Sequence, residues 1–310
     1  MSSKRFLVTG GCGFIGSHLV DYLSKNGDII TVIDDLSSGK TSNLPNSANL
    51  DKLILKDVID TDFTSLEHFD GVFHLAAQAS VPLSINNLYE SSSNNLLSSL
   101  KIIELCAETS TPLVYASSSA VYGNLDIDDD DNLVDLISPY SADKRMLEIY
   151  CDMAFKLYNL RSFGLRFFNV YGPRQDPTNP YSGVISIFAD KILKGEAITI
   201  NGGAQTRDFI YVGDVVRGIW ESYLYLKKES VAAFSNLLTG TSTSIEGLAD
   251  KLILMTGNQV DKIYKKLQPG DPQKSTGTVK KMEEILKLGD FVQLEDGLSD
   301  VLKWMKTTDD

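Results

Sequence analysis

The chain has 310 residues, of which 43% are hydrophobic and 23% charged, and its formal net charge is −12. This is the composition of an ordinary globular protein of one large or two modest domains. No apolar run approaches the roughly 20 residues that span a membrane. The negative charge argues against a general nucleic-acid surface, which needs basic patches. We therefore expect neither a nucleic-acid nor a membrane partner.

The three cysteines, Cys12, Cys106 and Cys151, form neither a metal-binding spacing nor a disulfide framework. Together with an N-terminus that lacks the apolar core of a secretory signal, this makes a reducing cytoplasm the default expectation. The acidic run DIDDDD at 126–131 has consecutive carboxylates that are not spaced for coordination. We interpret it as a solvated loop rather than a metal site, and no metal is predicted.

Short β-branched or apolar runs alternate with longer helical patterns through the first two-thirds of the chain, which predicts a doubly wound parallel α/β sheet of the Rossmann type. In chain order the segments are RFLVTG, FIGSHLVDYLSKNG, IITVID, LILKDV, GVFHLAA, a helix around LLSSLKIIELCAE, PLVYASS, a helix from Pro139 to about Tyr158, and RSFGLRFFNVYG.

After Gly172 the segment PRQDPTNPYSG interrupts this alternation, and later elements are expected to be shorter and less regular, with the last ten residues frayed. We assign residues 1–168 to the sheet domain. Residues 169–310 are assigned mainly to a smaller α/β domain that is interleaved with the first, with some segments returning to the sheet.

The segment VTGGCGFIG places Gly10, Gly13 and Gly16 between an apolar strand and an amphipathic helix. Glycines there let the backbone turn sharply and approach a pyrophosphate, which the helix N-terminus can bind. The second strand is expected to end at Asp34, which can accept hydrogen bonds from a ribose diol and would repel a 2′-phosphate. The pattern therefore favours NAD over NADP, and the alternative is a glycine-rich turn with a helix-capping aspartate.

Further cofactor contacts are expected where the next strands end. Asp57 and Val58 are predicted to close the third strand, where an adenine could lie, and Leu75 to Gln78 to close the fourth. The predicted cofactor site comprises Gly10, Gly13, Phe14, Ile15, Gly16, Asp34, Asp35, Ser37, Asp57, Val58, Leu75, Ala76, Ala77, Gln78, Tyr140 and Lys144.

The segment SPYSADK sets Tyr140 and Lys144 one helical turn apart, so both side chains share a helix face. The spacing alone is not specific, because Tyr223 and Lys227 repeat it in WESYLYLKK. The strand PLVYASSS ends in serines at the sheet edge where α/β proteins bind ligands, and the helix that begins near Tyr140 should return to that edge. The second pair lies in mid-helix, and we interpret it as packing and a solvated face.

A free tyrosine has a pKa of about 10, so a phenolate base at neutral pH needs stabilisation. Lys144 and a positively charged nicotinamide ring would both favour the anion. Ser118 would hold the substrate oxygen as the proton leaves. These three side chains with NAD predict hydride transfer between a secondary alcohol and the cofactor.

Nearly the whole chain resembles the extended short-chain dehydrogenase/reductase family, and within it the nucleotide-sugar 4-epimerases of the UDP-glucose 4-epimerase type. The resemblance is carried by TGGCGFIGSHLVDYL, HLAAQASV, ASSSAVYG, SPYSADK, RFFNVYGPRQ, NPYSGVISIF, TRDFIYVGDV and PGDPQKS. It implies a UDP-sugar substrate, with Ser118, Tyr140 and Lys144 catalytic. It further implies that the substrate contacts include Ser118, Ser119, Asn169, Val184, Phe188, Arg207, Gln268, Asp271 and Ser275.

Individual roles also follow from the resemblance. Asn169 would bind substrate and Arg207 its diphosphate, while Val184 and Phe188 would border the nucleobase. From the residues alone, Asn169 could instead be a turn former before YGP. Arg207 could likewise form a surface ion pair with Asp208.

Two positions depart from the family pattern or refine it. Related enzymes carry an arginine that contacts the diphosphate where this chain has Gln268, which supplies neither charge nor a bidentate fork. Four residues after Asp271, a bulky residue closes off the sugar C2 substituent in the epimerases, and here that residue is Ser275. We therefore expect UDP-N-acetylglucosamine to be accepted as well as UDP-glucose.

This chain lacks the residues that other reactions of the family require. The 4,6-dehydratases carry Asp-Glu directly after the catalytic threonine, where this chain has Ser119 and Ala120, and the glutamate of the decarboxylases is also missing at Ala120. The expected reaction is oxidation at C4, rotation of the 4-keto sugar and reduction on its other face, with NAD retained. The alternatives are an NAD-dependent dehydrogenase and a non-catalytic NAD-sensing or scaffold protein, although the latter would be free to lose Tyr140 or Lys144.

Family members usually dimerise through two helices per subunit, which here correspond to residues 95–109 and 140–157. We therefore expect a homodimer. The apolar residues predicted to supply its surface, some of which could pack on the sheet instead, are Leu96, Leu97, Leu100, Ile103 and Leu105.

Overall fold

The structure is a computed structural model that describes residues 3–46, 49–125, 133–179, 182–267, 273–275 and 277–308. Its strands are β1 (Arg5–Thr9), β2 (Ile29–Ile33), β3 (Leu50–Ile54), β4 (Gly71–His74), β5 (Leu113–Ser118), β6 (Ser162–Phe167), β7 (Asn169–Tyr171), β8 (Ile198–Asn201), β9 (Thr206–Tyr211), β10 (Ala232–Leu237), β11 (Ser242–Ser244), β12 (Lys262–Lys265) and β13 (Lys274–Ser275). Its helices are α1 (Phe14–Lys25), α2 (Val81–Asn86), α3 (Leu88–Thr109), α4 (Pro139–Tyr158), α5 (Val184–Leu193), α6 (Val212–Leu226), α7 (Ile245–Thr256), α8 (Lys280–Leu286) and α9 (Leu294–Thr308).

Unit 1 consists of Met1–Val121, Leu136–Arg166 and Val216–Ser235. The strands of the main sheet follow the order β10-β6-β5-β4-β1-β2-β3, and β1 pairs in parallel with both β2 and β4. The chain thus runs outward from β1 in both directions, which creates a crevice at the carboxyl ends of the strands next to β1. The predicted Rossmann-type sheet is confirmed.

Two predicted strand ends were placed too far along the chain. The β2–β3 ladder stops at the pair Ile33 and Ile54, so Asp57 and Val58 lie in the following loop rather than closing the third strand. The ladder ends there because the backbone after Ile33 turns around the side chain of Asp34, which accepts two main-chain amides.

The fourth strand likewise ends at His74, and Leu75 to Gln78 follow it as a loop. The N–H of Leu75 still donates to the carbonyl of Thr9 at 3.1 Å. The next amide, that of Ala76, bonds the Thr9 side chain at 3.3 Å instead of a strand carbonyl. A side-chain acceptor therefore ends the parallel ladder.

The predicted segment RSFGLRFFNVYG is two strands rather than one. β6 belongs to the seven-stranded sheet of the described residues, whereas β7 pairs in parallel with β9 in a different sheet. The break falls at Phe168, whose N–H donates to the carbonyl of Leu237 at 3.2 Å. A continuous apolar pattern cannot mark such a change of sheet, since β6 is buried throughout and no residue of β7 is exposed.

Unit 2 consists of Tyr122–Asp135, Phe167–Val215 and Asn236–Asp310. β9 pairs with β7, β11 and β13, and β8 pairs with β12. The expectation of shorter elements holds for the strands of this unit, since most of those described have two to four residues. The expectation of a frayed end was wrong, because α9 has 15 residues and extends to Thr308. It buries Leu298, Val301 and Met305 in the core of the unit, and tertiary packing of this apolar face stabilises the helix.

The second Tyr/Lys pair has the packing role expected of it. Tyr223 is fully buried, and its ring centre lies 5.1 Å from that of Phe6 and 5.3 Å from that of Trp220, while Lys227 is exposed. Among the described residues, none of the helices combines the length and hydropathy needed to cross a bilayer.

Candidate active site

The turn between β1 and α1 requires glycine at two positions. Gly10 has φ +69°, and a Cβ there would lie 2.7 Å from the backbone nitrogen of Ala76. A Cβ on Gly16 would lie 2.0 Å from the carbonyl oxygen of Gly10. Gly13 is the N-cap of α1, and Phe14 and Ile15 are the first residues of that helix. The backbone N–H groups of the first helical turn, which have no acceptor within the helix, therefore lie at this turn. The backbone therefore has the shape and donors that a pyrophosphate needs.

The carboxylate of Asp34 lies buried against this turn. Its Oδ2 accepts the N–H of Cys12 at 2.9 Å and its Oδ1 accepts the N–H of Leu36 at 2.8 Å. Burial raises the pKa of Asp34, and these amide bonds oppose the increase. The neighbouring carboxylate of Asp35 is exposed and accepts the hydroxyl of Ser37 at 2.6 Å. Two adjacent carboxylates fit a ribose diol and disfavour a 2′-phosphate.

The other predicted cofactor residues follow β3 and β4. Val58 is 4% exposed and packs in the core, so only its backbone remains for a ligand contact, whereas Asp57 accepts the amide side chain of Asn94 at 3.4 Å. The N–H of Gln78 donates to Oδ1 of Asn95 at 2.8 Å. Nδ2 of Asn95 in turn donates to Asp143 Oδ2 at 3.1 Å, which links this loop to α4.

Helix α4 begins at a capping signal that can be read from the sequence. Ser138 and Ser141 form a capping box, in which the Oγ of Ser138 accepts the N–H of Ser141 at 3.1 Å, and Pro139 occupies the first turn. Tyr140 and Lys144 therefore lie in the first two turns, and both are buried, at 9% and 5% exposure.

Ser118, Tyr140 and Lys144 come together in unit 1. The hydroxyl of Ser118 interacts with the phenol of Tyr140 and favours its deprotonated form. The ammonium of Lys144 donates to the carbonyl of Ala116 at 2.9 Å and lies 5.7 Å from the centre of the Tyr140 ring. Ser119 follows in a 3₁₀ turn that runs to Tyr122. The chain thus has a phenol, a hydroxyl and an ammonium within one small group.

Burial sets the protonation of this group. It raises the pKa of Tyr140, although the interaction with Ser118 opposes the increase, and it lowers the pKa of Lys144 to about 8. At neutral pH Tyr140 is therefore a protonated phenol and Lys144 is mostly cationic. A positively charged nicotinamide, if bound near Tyr140, would supply further stabilisation of a phenolate, in addition to the charge of Lys144.

A third residue on the same face of α4 was missed by the sequence analysis. Glu148, one turn after Lys144, accepts the hydroxyl of Ser117 at 2.6 Å and a bidentate pair of bonds from Arg166, each 2.8 Å. Arg145 donates to the same carboxylate at 2.8 Å. The glutamate and Arg166 are 1% and 0% exposed. An arginine within the apolar strand FGLRFF was the signal that could have revealed this pair, since a buried charge needs a partner.

These contacts form a regular pattern that fixes α4 on β5. Lys144 and Glu148, on successive helix turns, bond the carbonyl of Ala116 and the side chain of Ser117. Tyr140, one turn before Lys144, interacts with the side chain of Ser118. Three consecutive strand residues thereby set the position of the tyrosine and lysine.

Unit 2 contains a separate cavity of about 300 Å³, lined by Asn169, Ser182, Val184, Phe188, Thr199, Asn201, Gln205, Arg207 and Ile245. Four predicted substrate residues are among these. Ser275 is in register with Arg207 in neighbouring strands, and its hydroxyl accepts Nδ2 of Asn169 at 3.5 Å. Gln268 and Asp271 lie outside the described residues, as does the acidic run at 126–131.

The alternatives for Asn169 and Arg207 do not hold. Asn169 begins strand β7 rather than a turn, and it donates to the carbonyl of Asp208 at 2.9 Å. Arg207 is 7% exposed, so it is not on the surface. The Asp208 carboxylate accepts the N–H and the hydroxyl of Thr239, at 2.8 and 3.0 Å. Both residues are therefore placed to line the cavity.

Comparison with known proteins identifies the family to which the chain belongs. The NAD dependent epimerase/dehydratase family matches residues 6–230. The chain belongs to this family. A Methanocaldococcus jannaschii protein, provisionally described as UDP-glucose 4-epimerase, is 37% identical over 308 residues, which cover 97% of this chain and 98% of that protein.

Solved structures agree with this membership. A UDP-N-acetylglucosamine 4-epimerase from Methanobrevibacter ruminantium, in complex with UDP-N-acetylmuramic acid, has a TM-score of 0.92 and 36% identity, with 99% of this chain and 100% of that chain covered. A Thermus thermophilus UDP-glucose 4-epimerase complex with NAD has a TM-score of 0.86 and 31% identity, with 97% and 99% covered. The cofactor of this NAD-dependent family member is NAD, and the glycine turn and Asp34 fit it.

Proposed function

We propose that the protein epimerises UDP-sugars at C4, interconverting UDP-glucose with UDP-galactose and the corresponding N-acetylated pair. The proposal rests on the group of Ser118, Tyr140 and Lys144. Directly after Ser118 the chain has Ser119 and Ala120 rather than an acid/base pair. Elimination of water needs such a pair, whereas oxidation and reduction at one carbon do not.

In this reaction Tyr140 takes the proton of the C4 hydroxyl and later returns it. Ser118, whose hydroxyl interacts with the phenol, holds the same sugar oxygen, and Lys144 supplies a buried positive charge anchored on Ala116. Bound NAD would supply the transient oxidation at C4.

The residues of the unit 2 cavity would hold the nucleotide end of the substrate. Arg207 carries a guanidinium suited to a diphosphate, because two parallel N–H bonds match two phosphate oxygens. Val184 and Phe188 supply apolar surface for a nucleobase.

Acceptance of N-acetylated sugars is supported by the small side chain of Ser275 beside Asn169. We expect Ser275→Tyr to lower kcat/KM for UDP-N-acetylglucosamine by about 100-fold, because a ring at this position would take the space of the N-acetyl group. The value for UDP-glucose should change far less. Ser275→Ala, which keeps the space open, is the matched control, and equal losses for both sugars in the tyrosine variant would contradict the assignment.

The proposed reaction is tested by incubating the purified protein with each UDP-sugar without added NAD and following the products by NMR and NADH by absorbance. The galacto epimer without accumulating NADH is the expected result. Steady NADH formation on adding NAD, with no epimer, would indicate a dehydrogenase instead.

We also propose that the protein forms a homodimer through α3 and α4. The apolar residues on α3 contribute less than the sequence suggested, because Ile103 is buried against the sheet, Leu96, Leu100 and Leu105 are half-buried, and Leu97 is exposed. α4 instead presents a stripe of exposed apolar residues, Met146, Ile149, Met153 and Leu157.

Ile149→Glu is expected to shift the protein from dimer to monomer, since a carboxylate at the centre of an apolar helix interface would be desolvated. Light scattering after size exclusion measures this change. Leu254→Glu, at an exposed apolar position on α7, should leave the mass unchanged. A wild-type protein that is monomeric at micromolar concentration would refute the dimer.

A further inference from the structure

Cys12, in the middle of the glycine turn, has both its main-chain N–H and its main-chain carbonyl bonded by residues that follow β2. Its N–H donates to Asp34, as described above. Its carbonyl accepts two bonds, from the N–H of Lys40 at 3.1 Å and from Nδ2 of Asn43 at 2.9 Å. Residues 35–43, here called the clasp, are thus attached to the turn that would hold the pyrophosphate.

The clasp approaches the turn too closely for a side chain. A Cβ on Gly39 would lie 2.8 Å from the carbonyl carbon of Cys12, 2.9 Å from its oxygen and 3.0 Å from Asp34 Oδ1. At the other end, Leu36 adopts φ +61°, an unusual conformation for a bulky residue, and its N–H bonds the Asp34 carboxylate. The segment is therefore held closed by specific contacts at both ends.

Asn43 is the side chain that ties the far end of the clasp to the turn. Its own N–H bonds the carbonyl of Lys40 at 2.9 Å, so the amide side chain is presented from a short 3₁₀ turn, Thr41–Asn43. Without this side chain, the Cys12 carbonyl would keep only the bond from Lys40. The Cys12–Gly13 peptide group, which leads into the N-cap of α1, would then be held less firmly.

We propose that Asn43 is a positioning residue for cofactor retention, acting through the carbonyl of Cys12. By fixing the Cys12–Gly13 peptide group, it holds the first amides of α1 in place beside the Asp34 carboxylate, which bonds the N–H of the same cysteine. This arrangement suits a dinucleotide bound along both. Retention matters for a reaction without net redox change, because loss of the cofactor in mid-cycle would release an oxidised sugar. The inference rests on the NAD site and does not depend on which sugar is turned over.

The test is the rate at which bound NAD exchanges with isotopically labelled NAD, measured on the holoenzyme without any sugar. Asn43→Ala should exchange about five- to tenfold faster than wild type, as expected for the loss of one buried hydrogen bond. Gly39→Ala, which wedges the clasp off the turn, should exchange faster still. Ser42→Ala, at an exposed position of the same segment, should match wild type.

Measurement of kcat at saturating NAD distinguishes a positioning role of Asn43 from a general loss of structure. Both clasp variants should recover wild-type kcat when NAD is added, and their cofactor-free forms should still unfold in one cooperative transition. Wild-type exchange rates in both variants would overturn the proposal. So would a loss of activity that saturating NAD does not restore. Failure of epimerisation in the wild type, with the exchange differences intact, would contradict the proposed reaction and leave the role of Asn43 standing.

Discussion

Tyr140→Phe is expected to lower kcat by about 100- to 10,000-fold, the range typical of a general acid/base group, while the protein still binds NAD. The residue is 9% exposed and its ring should pack as before, so the change removes only the hydroxyl, which interacts with Ser118. Product formation followed by NMR, together with the NAD content of the purified variant, measures both parts of this expectation.

The second Tyr/Lys pair provides a matched control. The hydroxyl of Tyr223 has no hydrogen-bond partner among the described residues, and its ring packs on Phe6 and Trp220. Tyr223→Phe should therefore keep full activity. A Tyr140→Phe protein with near wild-type kcat would show that another group moves the C4 proton.

Glu148→Gln is expected to lower the free energy of unfolding by about 3–5 kcal/mol, the usual cost of removing one partner from a buried ion pair. The reason is that the Arg166 guanidinium, fully buried, would lose its counter-charge. Burial alone would raise the pKa of Glu148, but the bonds and charge of Arg166, with bonds from Ser117 and Arg145, lower it. This contribution to stability is thus present above the ordinary glutamate pKa and is lost as pH falls through the lowered value.

Denaturant unfolding at neutral and acidic pH measures the effect, and the difference between wild type and variant should shrink at low pH. Asp152→Asn, which breaks the exposed pair with Lys156 on the same helix, should change stability by no more than about 0.5 kcal/mol. The double change Glu148→Leu with Arg166→Met should recover most of the loss, because an apolar pair leaves no buried charge. A single glutamine variant as stable as wild type would contradict the assignment.

Local patterns in the sequence were sufficient for much of the molecule. The glycine turn, the alternation of strands and helices and the start of α4 at Ser138 depend on backbone geometry and on neighbours close along the chain. Such signals can be read without knowledge of the fold. They predicted the Rossmann-type sheet, the cofactor NAD and the family. The motifs further along the chain identified Asn169 and Arg207 as residues that now line one cavity.

Contacts between distant segments were decided by the tertiary structure alone. Nothing local to Phe168 marks the change of sheet from β6 to β7, because a buried strand is apolar whichever sheet it joins. The bonds of Asn43 to Cys12 and of Arg166 to Glu148 depend on which segments the fold brings together. The sequence by itself predicted which side chains carry the chemistry. Their burial, and hence the raised pKa of Tyr140 and the lowered pKa of Lys144, came from packing of the whole unit, since desolvation depends on every surrounding atom.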